Sequence, residues 1–400
     1  MAKRGEAQLR LGVIGLGRAA AAMIPSIVAH PHVALAAAAD PNPAARARFT
    51  ADYGAPAFES AEPLCASGVV DAVYIATPHQ CHAADVEVAA SHGMHVIVEK
   101  PMALELDDAI AMCASAKSRG VVLVVGHTHG FDRPIAKIRE MVHGGDVGAL
   151  RMMTNVVYTN FLYRPRRPEE LDTALGGGIM YNQVQHSIEV VRTIDGGALR
   201  SVRAMTGAWD PARPTEGAMS GFLDFDSGAV ASITYSGYDH FDADEFNAWV
   251  GENGEQKNGD GYACARRALR DVGDPEIESR RKAASGFSGR GANARPPGAV
   301  HHPHFGLLLV TCDGADLRPS PNGVLVYDDE GRREIEIPVG AAFPDKQTVI
   351  DELYDAVVMG VPPLHDGVWG SETVATGLAL MASARERREV AIPTLVRDVR

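Results

Sequence analysis

Lys100 and His186 are the side chains of this sequence best placed, by type and by motif, to move a proton at neutral pH. An imidazole with an ordinary pKa of about 6.5 needs little tuning to accept a proton, and a lysine ammonium can hydrogen-bond an oxygen on which negative charge develops. Lys100 stands in Glu99-Lys100-Pro101, directly after a short apolar run. His186 follows Gly176-Gly177-Gly178 and lies four residues after Asn182, a spacing that predicts both side chains on one face of a helix. The amide of Asn182 can hydrogen-bond His186 or a neighbouring hydroxyl, but it cannot take a proton.

A second group of residues reads as a phosphate cradle. Gly15-Leu16-Gly17-Arg18-Ala19-Ala20 follows an apolar run and opens a helix. Gly15 permits the tight turn, Gly17 lets backbone N–H groups approach a pyrophosphate at the helix's positive end beside Arg18, and Ala20 is small enough for helix-on-sheet packing. Asp40 ends the next run, 25 residues after Gly15, where a carboxylate can accept from both ribose hydroxyls of a dinucleotide. A carboxylate there repels a 2′-phosphate, so NAD is the expected cofactor; Arg46 and Arg48 nearby leave NADP open. Thr77-Pro78 ends a third run, as Glu99-Lys100 ends a fourth, both at the sheet edge where ligands of such folds bind.

The elements that must hold these residues alternate. Apolar runs at 9–14, 33–39, 71–76, 95–98 and 121–125 are separated by amphipathic segments, which predicts a doubly wound parallel sheet over residues 1–126, an NAD-binding Rossmann domain. Beyond that point runs with interior alternation follow at 151–158, 201–209, 219–225, 229–235, 305–311, 324–327 and 334–337. Helices are expected at 345–359 and 371–387. Residues 127–400 are therefore expected to form an α+β domain with a large open, mainly antiparallel sheet that binds substrate and mediates oligomerisation. Residues 253–300, rich in Gly, Arg, Asp and Ser, read as a mobile surface insertion.

Composition narrows the function classes. Lys and Arg number 38 against 51 Asp and Glu, and the resulting net charge of −13 with no basic tract argues against a nucleic-acid partner. Five scattered cysteines without a Cys-x-x-Cys pair fit a reducing cytoplasm and supply no zinc framework. His301, His302 and His304 lack a nearby Cys or a spaced carboxylate set, so no metal is expected. The apolar stretch 19–28 contains Pro25 and is too short to span a bilayer, so it reads as a buried helix and no membrane association is expected.

The fingerprint, Thr77-Pro78, Glu99-Lys100-Pro101, the glycine turn before His186 and Ser383-Ala384 before a final run together resemble the glucose–fructose oxidoreductase and inositol dehydrogenase family, Gfo/Idh/MocA. The resemblance spans nearly the whole chain. It implies an NAD(P)-dependent dehydrogenase in which Lys100 and His186 meet at the substrate carbon, assembled as homodimers or homotetramers. Most members carry an aspartate where this chain has Asn182.

Within the family, Tyr163 to Asp172, Tyr238 to Asp242 and His302 to Gly306 look similar to phthalate 4,5-cis-dihydrodiol dehydrogenases and related enzymes of carboxylated dihydrodiols. That implies a small anionic ring substrate oxidised to a catechol. Arg164, Arg166 and Arg167 would supply guanidinium forks for its carboxylates; a solvated loop, or a subunit salt-bridge patch pairing with Glu169 and Glu170, is the alternative for this cluster. His127 and His129 leave the fifth run at the domain junction and are candidates for the substrate cleft, as is Tyr158, whose alternative is sheet packing. Sugar or inositol oxidation by the same residues stays open, and so does a catalytically silent NAD-binding regulator.

Overall fold

The computed structural model describes residues 8–126, 129–272, 274–284, 286–287, 300–339 and 344–392. The fold is α/β. Strands β1 (Leu9–Ile14), β2 (Val33–Ala39), β3 (Ala57–Phe58), β4 (Ala72–Ile75), β5 (His95–Glu99) and β6 (Leu123–Gly126) form a parallel sheet in the order β3-β2-β1-β4-β5-β6. β4 and most of β5 are buried on both faces, which is why they read as continuous apolar runs. β3, with two residues, is too short to leave a sequence signal.

One face of this sheet is covered by α1 (Arg18–Ala29), α2 (Pro43–Tyr53) and α11 (Pro344–Tyr354), the last contributing Val349, Ile350 and Leu353 to a core with Leu11, Val13 and Ile24. The other is covered by α3 (Ala61–Cys65), α4 (His82–Ser91), α5 (Leu106–Arg119) and Val374 of α12 (Gly367–Glu386). The stretch 19–28 lies within α1, with Pro25 inside the helix. Among the described residues no helix is long and apolar enough to cross a membrane.

A nine-stranded mixed sheet follows, built from β7 (Leu150–Tyr158), β8 (Leu199–Gly207), β9 (Ala218–Phe225), β10 (Val230–Ser236), β11 (Leu307–Cys312), β12 (Asp316–Ser320), β13 (Gly323–Asp328), β14 (Gly331–Glu336) and β15 (Val390–Ala391). Its order is β14-β13-β12-β11-β7-β10-β9-β8-β15, and only β7 and β10 run parallel. Alternation puts Met153, Leu223 and Ile233 inward against α6 (Arg133–Gly144), α8 (Val184–Asp195) and Leu380 of α12. The opposite face exposes Met152, Met205, Phe222 and Val230.

Two expectations need correction. The chain's end does not stay with residues 127–400: α11 packs into the first sheet's core, and the backbone N–H of Val125 donates to His365 O at 2.8 Å. The cover that α1 and α2 give that face of the first sheet is completed only when the chain returns. The described part of 253–300 is also not a mobile surface insertion. It holds α9 (Cys264–Arg270) and α10 (Pro275–Ala284), and Phe287 beyond them is buried against Phe49 and Tyr53. The polar composition is engaged in ion pairs, Arg213 with Glu278 and Lys282 with Glu170. Residues 288–299 lie outside the described residues.

Candidate active site

A cleft of about 510 Å³ opens at the carboxyl edge of the parallel sheet, lined by Gly15 to Ala19, Asp40 and Ala76 to Gln80. Gly15 has φ +89°, and a Cβ on it would stand 2.9 Å from the backbone of Ala76 and Thr77, so only glycine fits that turn. No side chain caps α1 at Gly17, which leaves its N-terminal N–H groups directed at the cleft. Asp40 accepts from the N–H of Leu16 at 2.7 Å and of Asn42 at 2.8 Å, one bond per carboxylate oxygen, leaving lone pairs for ribose hydroxyls. These residues fit a dinucleotide. Pro78 lines the same cleft, while the Thr77 hydroxyl donates to Asp85 at 2.7 Å. Ala20 is fully buried beneath the turn, and the Arg18 side chain makes no hydrogen bond or ion pair among the described residues.

Lys100 follows β5 across a cis peptide bond to Pro101. Its ammonium donates to the main-chain carbonyl of Asn182 at 2.6 Å, joining the nucleotide half to the turn that carries His186. Burial lowers Lys100 to about 8, against the pull of Glu99 and Glu252 in the other direction. Glu99 itself accepts from the phenol of Tyr74 at 2.5 Å, a bond that ties two strand ends together. His82, which opens α4, lies 3.0 Å from both the Thr77 and Pro101 carbonyls and links the two turns beside the cleft. His79 lines the cleft and is pushed down to about 3, by burial first and then by His82 and Lys100.

The single helix expected through Asn182 and His186 is broken. Gln183 takes φ −125°, ending α7 (Gly178–Asn182) and starting α8. Gly178 has φ +75°, and a Cβ there would meet the Thr215 hydroxyl at 2.2 Å. The Asn182 amide donates to Gly176 O at 2.9 Å and Gly178 O at 2.8 Å, so it fastens the turn and does not reach His186 as its donor. His186 is buried, its ring edge to face with His129 at 4.8 Å and tilted against Phe305 at 5.0 Å.

His129 carries a proton at neutral pH. Burial opposes the charge, but Asp132 at 3.0 Å and Glu252 at 3.9 Å outweigh it and hold the pKa up at about 10. Glu252 also pairs with Arg164 at 3.3 Å, and these two cations hold its carboxyl well below the usual range although burial pushes it up. The Arg166 guanidinium lies over the Phe161 ring, 3.8 Å from its centroid, with its Nε unbonded; burial lowers it to about 10 despite Glu170. Arg18, Lys100, Arg164, Arg166, Lys282 and His129 thus share the carboxylates of Glu99, Asp132, Glu170, Asp244 and Glu252.

The other substrate candidates fall elsewhere. Arg167 pairs with Glu169 and Glu170 on the cofactor side. Tyr158 packs edge to face on Phe241, and none of its described ring contacts is with His186. His127 lies outside the described residues. His302 and His304 bond backbone carbonyls, and among the described residues no group of three or more His, Cys, Asp or Glu could hold a metal. Glu252 and Lys282 were not foreseen. A lone acid in a loop and a lone lysine in the polar helix α10 carry no distinguishing signal, and only folding brings them to the site.

Residues 9–127 match the oxidoreductase family described by an NAD-binding Rossmann fold, and residues 135–255 match the GFO/IDH/MocA C-terminal domain. The chain is 41% identical over 380 residues to the 1-carboxy-3-chloro-3,4-dihydroxycyclohexa-1,5-diene dehydrogenase of Comamonas testosteroni, covering 94% of this chain and 95% of that one. It is 25% identical over 237 residues to the NAD⁺-dependent scyllo-inositol 2-dehydrogenase of Bacillus subtilis, covering 58% of this chain and 68% of that one. A crystal structure from Bordetella bronchiseptica RB50 superposes with a TM-score of 0.90 at 43% identity, covering 96% of this chain and all of that one. An Agrobacterium radiobacter oxidoreductase in complex with NAD⁺, L-tartaric acid and magnesium shares the fold, with a TM-score of 0.71 at 19% identity over 96% and 98% of the two chains.

Proposed function

The chain belongs to the Gfo/Idh/MocA family of NAD-dependent oxidoreductases, and on that premise we propose that it oxidises a carboxylated cis-dihydrodiol to the corresponding catechol. The observation that carries this reading is the pair of buried guanidiniums, Arg166 acting on Lys100 and Arg164 paired with Glu252 beside His129, which offer an anionic ring the forks that a neutral polyol does not need. The extensive identity to a dehydrogenase of a carboxylated, chlorinated dihydroxycyclohexadiene supports it.

NAD, when bound, supplies the hydride acceptor. Arg164 and Arg166 hold the substrate carboxylate, and Asn182 fixes the glycine turn that presents His186. Lys100, brought to about 8 by burial, takes the hydroxyl proton, and His186 orients the carbinol. This reverses the emphasis of the sequence reading, which gave the proton to His186. The hydroxy-enone formed first tautomerises to the catechol, and aromatisation draws the oxidation forward.

Mixing the protein and NAD with phthalate 4,5-dihydrodiol, a chlorobenzoate-type dihydrodiol or inositols, and following NADH absorbance, tests the reading. Turnover of a carboxylated dihydrodiol at least about a hundredfold more efficient than of any inositol is expected, a gap that one or two charge-assisted contacts supply. Preference for inositol overturns it, and no NADH with any diol would favour a silent regulator. The exposed face with Met152, Met205, Phe222 and Val230 supports a homodimer or homotetramer, tested by sedimentation, and the free cysteines support a cytoplasmic location.

A further inference from the structure

We propose that α10, together with Gly286 and Phe287, is a clasp over the dinucleotide cleft, with Phe287 as its anchor and Lys282 as a ligand on the pyrophosphate side. The proposal rests on NAD being the cofactor, and it concerns how the cofactor is held. The root of the clasp is in the second domain. Glu278 is buried there and accepts from both terminal nitrogens of Arg213 at 2.8 and 2.9 Å and from the backbone of Arg166 at 2.6 Å. Its far end is in the nucleotide half. Phe287 is 1% exposed, with its ring 6.1 Å from those of both Phe49 and Tyr53 on α2 and the Arg48 guanidinium 5.9 Å above it.

Between root and anchor, Lys282, Ala283 and Gly286 line the same cleft as Gly15, Gly17 and Asp40. A Cβ on Gly286 would stand 3.8 Å from Gly17 C and 3.9 Å from Arg18 N, so the clasp crosses the phosphate turn at van der Waals distance. Lys282, 2.9 Å from Glu170, and Arg18 bring cations to the cleft from two different elements. A dinucleotide lying on that turn is covered by the clasp, and its exchange requires Phe287 to leave its pocket.

Two measurements on the full-length protein test this. In limited trypsin digestion, cleavage at Arg280, Arg281 and Lys282 is expected to slow about tenfold or more when NADH saturates the protein, because the opened form is depleted by mass action. Unchanged cleavage overturns the clasp. In stopped-flow fluorescence, Phe287→Ala is expected to speed both association and dissociation of NADH by about tenfold or more, the scale that burial of one aromatic ring supplies. Dissociation within about twofold of native overturns the clasp, since the variation lies inside ordinary surface-substitution effects. Lys282→Gln leaves the anchor intact; it is expected to speed dissociation about fivefold with association unchanged, the size of one charge-assisted contact, and unchanged dissociation would remove Lys282 from the site. Native protein that binds no NADH would overturn the cofactor assignment itself, a result distinct from the others.

Discussion

Lys100 holds the main-chain oxygen of Asn182 at 2.6 Å, while the side chain of the same Asn182 holds Gly176 and Gly178, so one residue joins the ammonium to the turn that leads to His186. An aspartate at this position, common in the family, cannot donate to those two carbonyls. Asn182→Asp is therefore expected to destabilise the protein by about 1–3 kcal/mol, the cost of leaving buried acceptors unmet. Thermal unfolding together with kcat checks this; a variant as stable as native, with higher kcat, would show that the carboxylate is accommodated as a base.

If Lys100 takes the hydroxyl proton, kcat for oxidation rises with pH up to about 8 and then levels off, because the amine must be neutral and burial has brought its pKa there. Lys100→Arg stays charged at all accessible pH, so oxidation should fall by about a hundredfold or more and the inflection should vanish. A native profile that falls through pH 8 would instead make the ammonium the required form and return proton removal to His186.

Arg164 and Glu252 should act in opposite directions on selectivity. Removing the guanidinium with Arg164→Ala is expected to raise KM for a carboxylated dihydrodiol about tenfold to a hundredfold, leaving an uncharged dihydrodiol nearly unaffected. Glu252→Gln frees Arg164 of its internal counter-ion and should lower KM for the anionic substrate. Equal responses of charged and uncharged diols in both variants would remove this pair from substrate recognition.

Stability should respond to pH through the raised histidines. His129 at about 10 and His365 at about 9, the latter between Glu189 and Glu352, stay protonated in the folded chain at pH values where the unfolded chain has released those protons. Their contribution is complete below about 6.5 and is lost as pH rises, at up to roughly 1.4 kcal/mol per unit for each group. Lys100 and Lys282, both lowered to about 8, act in reverse above that value, since the folded state then binds fewer protons than the unfolded. Denaturant midpoints should thus fall between pH 6.5 and 8 and flatten above, about as these shifts dictate. Midpoints that rise between pH 6.5 and 8 would contradict the charged histidines.

The cofactor half was legible because its chemistry is local. Gly15, Gly17 and Asp40 sit on consecutive elements of one supersecondary unit, and a turn that admits no Cβ leaves its mark as glycine. Lys100 and His186 were legible as motifs, but the break at Gln183 was not, since residue spacing does not report the backbone dihedral of a single residue. Glu252 is 123 residues from His129 and 88 from Arg164, with nothing periodic between them. Phe287 had one available signal, a single large aromatic in a run of Gly, Arg and Ser; polar composition outvoted it because burial of one ring does not alter an average.

The return of α11 to the first sheet sets a limit on how this chain can be divided. A fragment ending at Gly126 would keep every glycine of the phosphate turn yet expose the floor on which Val349, Ile350 and Leu353 rest. Transplanting the nucleotide half onto another catalytic partner thus means carrying the distant C-terminal helix along, and evolutionary shuffling of the two halves faces the same constraint.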